Sequence, residues 1–194
     1  MPKHPLIYSV GDSHCWHVWL KVPYVRVQTS GPMTMYRFGQ DKPFVLTGIP
    51  EEAIVCFSWG EIDCRCHVNK FQPWQETIDE LVKNYFDAIE ANIKKPENAW
   101  IFNVVPPPRR EAAIESPGFP FLGTDEERLA YVRYMNKKLS ECGSRGYTFI
   151  DVYEHYCDQD GFMIPEKSDG HVHIADEKPV IQWLERKLNE MSNV

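Results

Sequence analysis

The sequence predicts an α/β fold: a three-layer α/β/α sandwich around a central, mostly parallel five-stranded sheet. One observation is that short apolar runs such as residues 53–58 (AIVCFS) are continuous, as expected for strands covered on both faces. A second is that segments with helical spacing of apolar residues separate these runs. Strands that alternate with helices favour right-handed crossovers and parallel pairing.

Five runs are predicted strands: residues 6–10, 24–29, 53–58, 100–105 and 147–152. The prolines at 106–108 cannot continue the fourth ladder. A short helix is expected over 15–21, followed after the second strand by an irregular stretch up to Pro50. Periodicity predicts longer helices over 75–94, from Thr124 to about 142, and from Lys178 or Pro179 onward. Residues 124–127 (TDEE) form a capping-box pattern, and the last helix has an apolar face of Val180, Ile181, Leu184 and Leu188.

Composition favours one domain over residues 1–194 and a small-molecule partner. The chain has 194 residues, of which 43% are apolar, enough for one core. A net charge of -7 disfavours nucleic acids and anionic membranes as partners. No run approaches the ~20 apolar residues of a membrane span, and the first apolar run is too short for a signal-peptide core. A cytoplasmic location is therefore expected, and the oligomeric state stays open.

The six cysteines are expected to be free thiols, because a chain of this size folds without disulfides. Cys64, Cys66 and His67 form a local cluster, but their spacing does not match the repeated pairs of structural zinc sites. We expect neither a metal nor an organic cofactor.

Two polar segments carry the candidate chemistry. Gly11-Asp12-Ser13 ends the first predicted strand, where open α/β sheets gather ligands. The same tripeptide is also good turn and N-cap chemistry. Residues 168–174 (SDGHVHI) lie just before the last predicted helix. A serine early in the chain and an Asp-His pair late in it suit a nucleophile, base and orienting carboxylate.

Together these segments resemble the SGNH hydrolases, also called GDSL esterases and lipases, over residues 6 to about 188. The resemblance implies a flavodoxin-like sandwich, a serine ester hydrolase and a nucleophile at Ser13, with His14 where Leu is usual. In the family's last block a His stands third after the Asp, whereas here histidines stand second and fourth after Asp169. Either His171 or His173 is then the base, and we favour His173, with His171 as a neighbour of the site. Asp169 would orient the base, or a Ser-His dyad would act without it.

The family's other blocks imply donors for an oxyanion. Gly31, after the second strand, matches the backbone donor, and in the first block we expect the Ser13 amide to be a second donor and Asp12 to take part in substrate binding. The third block, usually Gly-x-Asn-Asp, reads Gly-Glu-Ile-Asp-Cys-Arg over residues 60–65, as in a divergent branch of the superfamily. Ile62 cannot donate a hydrogen bond, so a replacement donor is needed. Candidates are Arg65, His67 and Asn103, and we favour Arg65 for its several donors and fixed charge.

The expected reaction is removal of a short acyl group, such as acetyl, from a carbohydrate or other small ester. The segment from Pro106 to Gly123 is expected to cover the site, with the pair Arg109-Arg110 and the rings of Phe119 and Phe121 facing the substrate. Alternatives are an acyltransferase with the same Ser and His, and a catalytically silent ligand-binding protein. A metal-dependent phosphoesterase is a further alternative, using Asp12, His14, Asp63 and His173.

Overall fold

The structure is a computed structural model that describes residues 5–40 and 46–193. Five strands form one parallel sheet in the order β2-β1-β3-β4-β5. In chain order, β1 to β5 are Ile7–Gly11, Val25–Thr29, Ile54–Ser58, Ala99–Phe102 and Thr148–Ile150. The predicted α/β fold with a parallel five-stranded sheet is confirmed. The strand order reverses at β1, so the carboxyl end of β1 lies where such sheets bind ligands.

Five α-helices accompany the sheet in the described residues: α1 Met35–Gln40, α2 Glu61–Cys66, α3 Trp74–Asn92, α4 Asp125–Ser140 and α5 Lys178–Ser192. The last three match the predicted helices. The helix predicted over 15–21 is instead two short 3₁₀-helices, Ser13–Cys15 and Trp19–Lys21. The stretch predicted to be irregular contains α1, while its residues 41–45 lie outside the described part.

Helix α1 is capped by one local and one distant side chain. The Asp63 carboxylate accepts hydrogen bonds from the backbone N–H groups of Met35 at 2.7 Å and Tyr36 at 3.1 Å. Thr34 is the local N-cap, since its Oγ1 accepts from the Arg37 amide at 3.0 Å, and the Asp63 carboxylate binds the two earlier amides. Because Asp63 lies in α2, sequence reasoning did not detect this part of the cap.

Helix α4 begins as its sequence predicts. Thr124 Oγ1 accepts from the Glu127 amide at 3.2 Å, and Glu127 Oε2 accepts from the Thr124 amide at 2.8 Å. This reciprocal pair is a capping box.

Two apolar cores lie on opposite faces of the sheet, because side chains alternate along each strand. On β3, Val55 and Phe57 join the core beneath α1, α3 and α4. Ile54 and Cys56 join the other core, which α5 covers. That second core also contains Val18, Trp19 and Val22 from the segment after the first 3₁₀-helix, together with Val180, Leu184 and Leu188 of α5.

Two expectations drawn from composition concern the state of the cysteines and the presence of membrane-spanning helices. All six cysteines are free, as expected. Within residues 5–40 and 46–193, no helix has the length and apolar character needed to cross a membrane.

Replacing Gly11 by Ala is expected to destabilise the fold severely. A Cβ at this position would lie 2.0 Å from the backbone oxygen of Ser58 on the adjacent strand β3, and backbone cannot move aside cheaply. We expect a loss in free energy of unfolding of about 3 kcal/mol or more, measured by urea denaturation.

Gly143→Ala is the matched control, because a Cβ there meets nothing within 4 Å. Its stability should stay within about 1 kcal/mol of wild type. Equal stabilities of the two variants would contradict the close approach of β1 and β3.

Candidate active site

Ser13 lies at the carboxyl end of β1 and opens the first 3₁₀-helix. The chain is guided there by the Asp12 amide, which donates to Ser58 O at 3.3 Å, and by the Ser30 amide, which donates to Gly11 O at 2.8 Å. Within the described part of the chain, the Ser13 amide makes no hydrogen bond. The half-buried Ser13 thus presents both its hydroxyl and its amide at the sheet edge.

Three side chains form a continuous hydrogen-bonded chain at this edge. The Ser13 hydroxyl lies 2.8 Å from His173 Nε2, although the two residues are 160 positions apart. On the other side of the ring, His173 Nδ1 donates to Asp169 Oδ2 at 2.7 Å. The structure therefore brings Ser13, His173 and Asp169 together in the order of a nucleophile, a base and an orienting carboxylate.

The loop before α5 accommodates the unusual Asp-to-His spacing. Asp169 Oδ1 accepts from the amides of His171 at 2.9 Å and His173 at 3.2 Å, while the Asp169 amide donates to His173 O at 3.0 Å. Gly170 has φ +84°, a left-handed conformation that glycine adopts without strain. This tight turn lets a histidine four residues after the aspartate reach its carboxylate.

His171 points away from Ser13. Its Nδ1 donates to Ile114 O at 3.0 Å, and the Ile114 amide donates to Gly170 O at 3.0 Å. These bonds attach the segment between β4 and α4 to the loop that carries His173. Of the two candidate bases, His173 alone contacts the serine hydroxyl.

Two further imidazoles flank the His173 ring. His17 stacks on it with a centroid distance of 3.7 Å and an interplanar angle of 10°, and His14 lies 4.6 Å away on a tilt. Burial, the His14 charge and His17 lower the pKa of His173 to about 4, against the opposing effect of Asp169. His173 is therefore neutral at pH 7, the state in which Nε2 can accept a proton.

Asp12 does not face the substrate side, contrary to the expectation that it binds substrate. It is 1% exposed, and its Oδ1 accepts from the His14 amide at 2.8 Å and from His14 Nδ1 at 3.1 Å. Asp12 therefore caps the 3₁₀-helix that begins at Ser13, which is the turn-forming role of this tripeptide.

Arg65 is committed to partners inside the protein, so the structure does not support it as an oxyanion donor. Its Nε and Nη2 donate to Glu61 Oε1 and Oε2 at 2.6 and 3.0 Å, and Nη1 donates to Phe119 O. Burial disfavours the Glu61 carboxylate, but Arg65 outweighs it and lowers the Glu61 pKa. Sequence reasoning missed Glu61, although a Glu four residues before an Arg on a helix is a signal for such a pair.

Asn103 and His67 are likewise placed elsewhere. The Asn103 amide group joins β4 to β5: its Nδ2 donates to Val104 O at 2.9 Å and its Oδ1 accepts from the Val152 amide at 2.9 Å. His67 lies beside Lys70 on the far side of α2, with Nδ1 3.4 Å from Lys70 Nζ. Neither side chain contacts Ser13.

Gly31 lies in the turn after β2, next to Ser30, whose amide donates to Gly11 O at 2.8 Å. It has φ +70°, and its amide donates to Thr29 Oγ1 at 3.1 Å. That partner is a side chain in the same exposed turn, so it can rotate away.

The segment between β4 and α4 is bound by its own charged residues rather than left open for substrate. Arg109 pairs with Asp158 at 3.2 Å and Asp160 at 2.8 Å, and Arg110 Nη2 donates to Phe121 O. Phe121 is buried, and Phe119 is half-buried. The expectation that these arginines and rings face the substrate is not supported.

Two cavities lie near this sheet edge. A cleft of about 510 Å³ lies between α1, α2 and α3, and its lining includes Tyr36 and Phe71 but none of Ser13, Asp169 and His173. A closed cavity of about 10 Å³, room for about one water, lies beside Asp12, His14 and Glu61. The second carboxylate oxygen of Asp12, Oδ2, is buried and has no hydrogen-bond partner among the described residues.

In the described residues, one group of three side chains brings metal-binding atoms within 4.8 Å of one another: His17, Asp169 and His173. The hydrogen bond between Asp169 and His173 already accounts for the closeness of two of them, and we assign no metal here. Of the four residues of the phosphoesterase alternative, Asp12, His14 and His173 lie together, but Asp63 is turned toward the amides of α1 and does not join them. Burial raises the Asp63 pKa to about 7.

Solved structures share this fold. No family model and no curated protein matches the chain. A GDSL-like lipase from Bacteroides thetaiotaomicron superposes with a TM-score of 0.65 at 13% identity, over 98% of this chain and 91% of that one. Phospholipase A1 from Streptomyces albidoflavus gives 0.59 at 9% identity, over 93% and 98% of the two chains. An extracellular lipase from Streptomyces rimosus gives 0.53 at 15% identity, over 93% and 98%. The chain therefore has the fold of the GDSL-type, or SGNH, lipases and acylhydrolases, as the sequence resemblance predicts.

Breaking the Arg65–Glu61 pair from one side is expected to cost more than removing both charges. Arg65→Leu leaves a buried carboxylate without its partner, so we expect a loss of about 3–5 kcal/mol in the free energy of unfolding. The double variant Glu61→Leu/Arg65→Leu removes that unpaired charge and should recover part of the loss. Urea denaturation compares the wild type with both variants, and a double variant no more stable than Arg65→Leu would contradict the pairing.

Proposed function

We propose that this protein is a serine ester hydrolase in which Ser13 is the nucleophile, His173 the general base and Asp169 the orienting carboxylate. The observation that carries the proposal is the chain of two short hydrogen bonds, 2.8 and 2.7 Å long, from the Ser13 hydroxyl to His173 and on to Asp169. The shared fold with GDSL-type lipases and acylhydrolases supports the same reaction class.

The geometry suits two-step acyl transfer. Ser13 Oγ forms a bond to the ester carbonyl carbon while its proton passes to His173 Nε2, and the carbonyl electron pair moves onto oxygen. The tetrahedral intermediate collapses, the ester C–O bond breaks, and His173 returns the proton to the leaving alcohol. Water then attacks the carbonyl carbon of the acyl-enzyme and gives a proton to His173 Nε2. His173 returns this proton to Ser13 Oγ as the acyl bond breaks, which releases the acid and restores Ser13. Asp169 stabilises the transient imidazolium through its bond to Nδ1.

Backbone amides are the proposed oxyanion donors. The Ser13 amide is unpaired in the described structure and lies next to the attacking hydroxyl. The Gly31 amide lies in the turn after the neighbouring strand and is held by the Thr29 hydroxyl, which a substrate oxygen can replace. Since Arg65 and Asn103 are engaged elsewhere, we leave them out of the oxyanion hole.

We further propose that the ester carries a short acyl group, such as acetyl, on a carbohydrate or another small alcohol. The cavity among Asp12, His14 and Asn103 holds only about 10 Å³, room for about one water, and Ser13 is not in its lining, so it offers no pocket for a long acyl chain. The large cleft does not include Ser13 in its lining.

We also propose a cytoplasmic location, with a small-molecule ester as the partner. Six free thiols support a reducing compartment.

Replacing Ser13 or His173 by Ala is expected to lower turnover of p-nitrophenyl acetate by about 10³-fold or more, because each removes a reacting group. His171→Ala should lose far less, since His171 contacts Ile114 and not the serine. His155→Ala, at an exposed site away from the triad, is the matched control.

A fluorophosphonate probe gives an independent readout. Mass spectrometry should locate the phosphonyl group on Ser13 in the wild type and nowhere in Ser13→Ala. Turnover that survives Ser13→Ala, or labelling at another residue, would overturn the assignment.

Acyl-chain preference tests the substrate proposal. We expect kcat/KM to fall from acetyl to octanoyl p-nitrophenyl esters, because no chain-sized cavity adjoins Ser13 among the described cavities. Acetylated monosaccharides, followed by acetate release, should also be substrates. Faster hydrolysis of the octanoyl ester would refute the short-acyl proposal while leaving the serine mechanism intact.

A further inference from the structure

We propose that His14 is a positioning residue for the Ser13–His173 pair: a buried imidazolium that joins the turn carrying the nucleophile to the loop carrying the base. The inference rests on the proposed function for its catalytic meaning, while its geometry stands independently. It concerns a position where this chain has His in place of the family's usual Leu.

Both ring nitrogens of His14 face acceptors. Nδ1 lies 3.1 Å from Asp12 Oδ1, and Nε2 lies 3.2 Å from the carbonyl oxygen of Val172. A carboxylate and a carbonyl can only accept, so each nitrogen must carry a proton for both bonds to form. A histidine with two N–H groups is a cation. The side chain is 6% exposed, so bulk water does not compete with either partner.

The charges around His14 support this protonated state. Asp12 and Glu61 are buried carboxylates beside it, and Arg65 balances Glu61. Burial alone would lower the His14 pKa, but Asp12, Glu61 and the Val172 carbonyl outweigh it and raise the pKa above its ordinary value. On the side of the loop before α5, the His14 ring faces His173, and His173 lies next to Asp169 and His17.

The two bonds of His14 link the immediate neighbours of the reacting residues. Asp12 precedes Ser13 in the chain, and Val172 precedes His173. One ring therefore fixes the distance between the two turns from which the nucleophile and the base project. Loss of this bridge would let the Ser13–His173 hydrogen bond lengthen, and small misplacements of reacting groups have large effects on rate.

The same ring also keeps the base neutral. The His14 ring centroid lies 4.6 Å from that of His173, and a cation at this distance disfavours a second one. His14 is the second-largest cause of the low His173 pKa of about 4, after burial. The activity should therefore persist in mild acid, falling only as the pH drops through the His173 pKa.

The decisive measurement is the ¹⁵N chemical shift of the histidine ring nitrogens in the uniformly labelled wild-type protein. At pH 7 we expect both nitrogens of His14 to be protonated and His173 to have one unprotonated nitrogen. An unprotonated nitrogen on His14 at pH 7 would overturn the proposal. This readout needs no turnover, so it decides the inference even if the esterase proposal fails.

Variants test the positioning role. In His14→Gln we expect kcat/KM for p-nitrophenyl acetate to fall about 10- to 100-fold. The acid limb of its pH profile should move up from about pH 4 toward the ordinary histidine value. His155→Gln, which changes an exposed imidazole, should leave both the rate and the limb unchanged. A folded His14→Gln protein with an unmoved limb would refute the role.

Asp12→Asn guards against loss of folding in His14→Gln. It keeps the size of the side chain but removes the carboxylate charge that favours the imidazolium. We expect His14 in this variant to lose one of its two ring protons at a pH at least one unit lower than in the wild type. An unchanged His14 titration would contradict the proposed electrostatic pairing.

Discussion

The whole site depends on one constraint: the turn after β1 must meet the loop before α5, 160 positions later in the chain. Packing imposes this meeting. Val18, Trp19 and Val22, which follow the turn at Ser13, lie in the same apolar core as Leu184 and other residues of α5. Burial of that core therefore sets how α5 lies against β1. Apolar packing in this way fixes the distance between the turn after β1 and the loop before α5, and the polar contacts at the sheet edge form across that distance.

Buried charge is the second theme of the site. Two pairs of ionisable side chains are buried beside the candidate site: Asp12 with His14, and Glu61 with Arg65. Each pair is hydrogen-bonded, as burial of charge requires. Such pairs contribute little net stability, but they hold fixed charges in a dry environment, where they act strongly on a neighbouring imidazole.

Much of this could be predicted from the sequence, and the exceptions have a common cause. Continuous apolar runs identified β1, β3 and β4, which are buried along their whole length, and the two edge strands, β2 and β5, were predicted from more mixed segments. The Gly-Asp-Ser turn identified Ser13, and the last Asp-His segment identified His173 and Asp169 as partners that the structure places in contact. These strands and site residues could be predicted because each depends on residues that are close to one another in the sequence.

Tertiary contacts account for the failures. Helix α1 was missed although Thr34 caps it locally, because the carboxylate that completes the cap, Asp63, comes from another helix. Arg65 was favoured for the oxyanion because its donors are visible in sequence, but Glu61 and the Phe119 carbonyl that occupy them become apparent only in three dimensions. His14 was predicted only as part of the phosphoesterase alternative, because its second acceptor, the Val172 carbonyl, lies 158 positions away in the chain.

The turn at Asp169 has a consequence for how such proteins diverge. The carboxylate holds two amides of its own loop as well as the imidazole, so the loop's shape is set by hydrogen bonds and not by a count of residues. An extra residue between aspartate and histidine is absorbed by the glycine at 170. Evolution can thus lengthen this segment and keep the hydrogen bonds among Ser13, His173 and Asp169. Sequence searches that require a fixed spacing between the aspartate and the histidine will overlook chains that retain these hydrogen bonds.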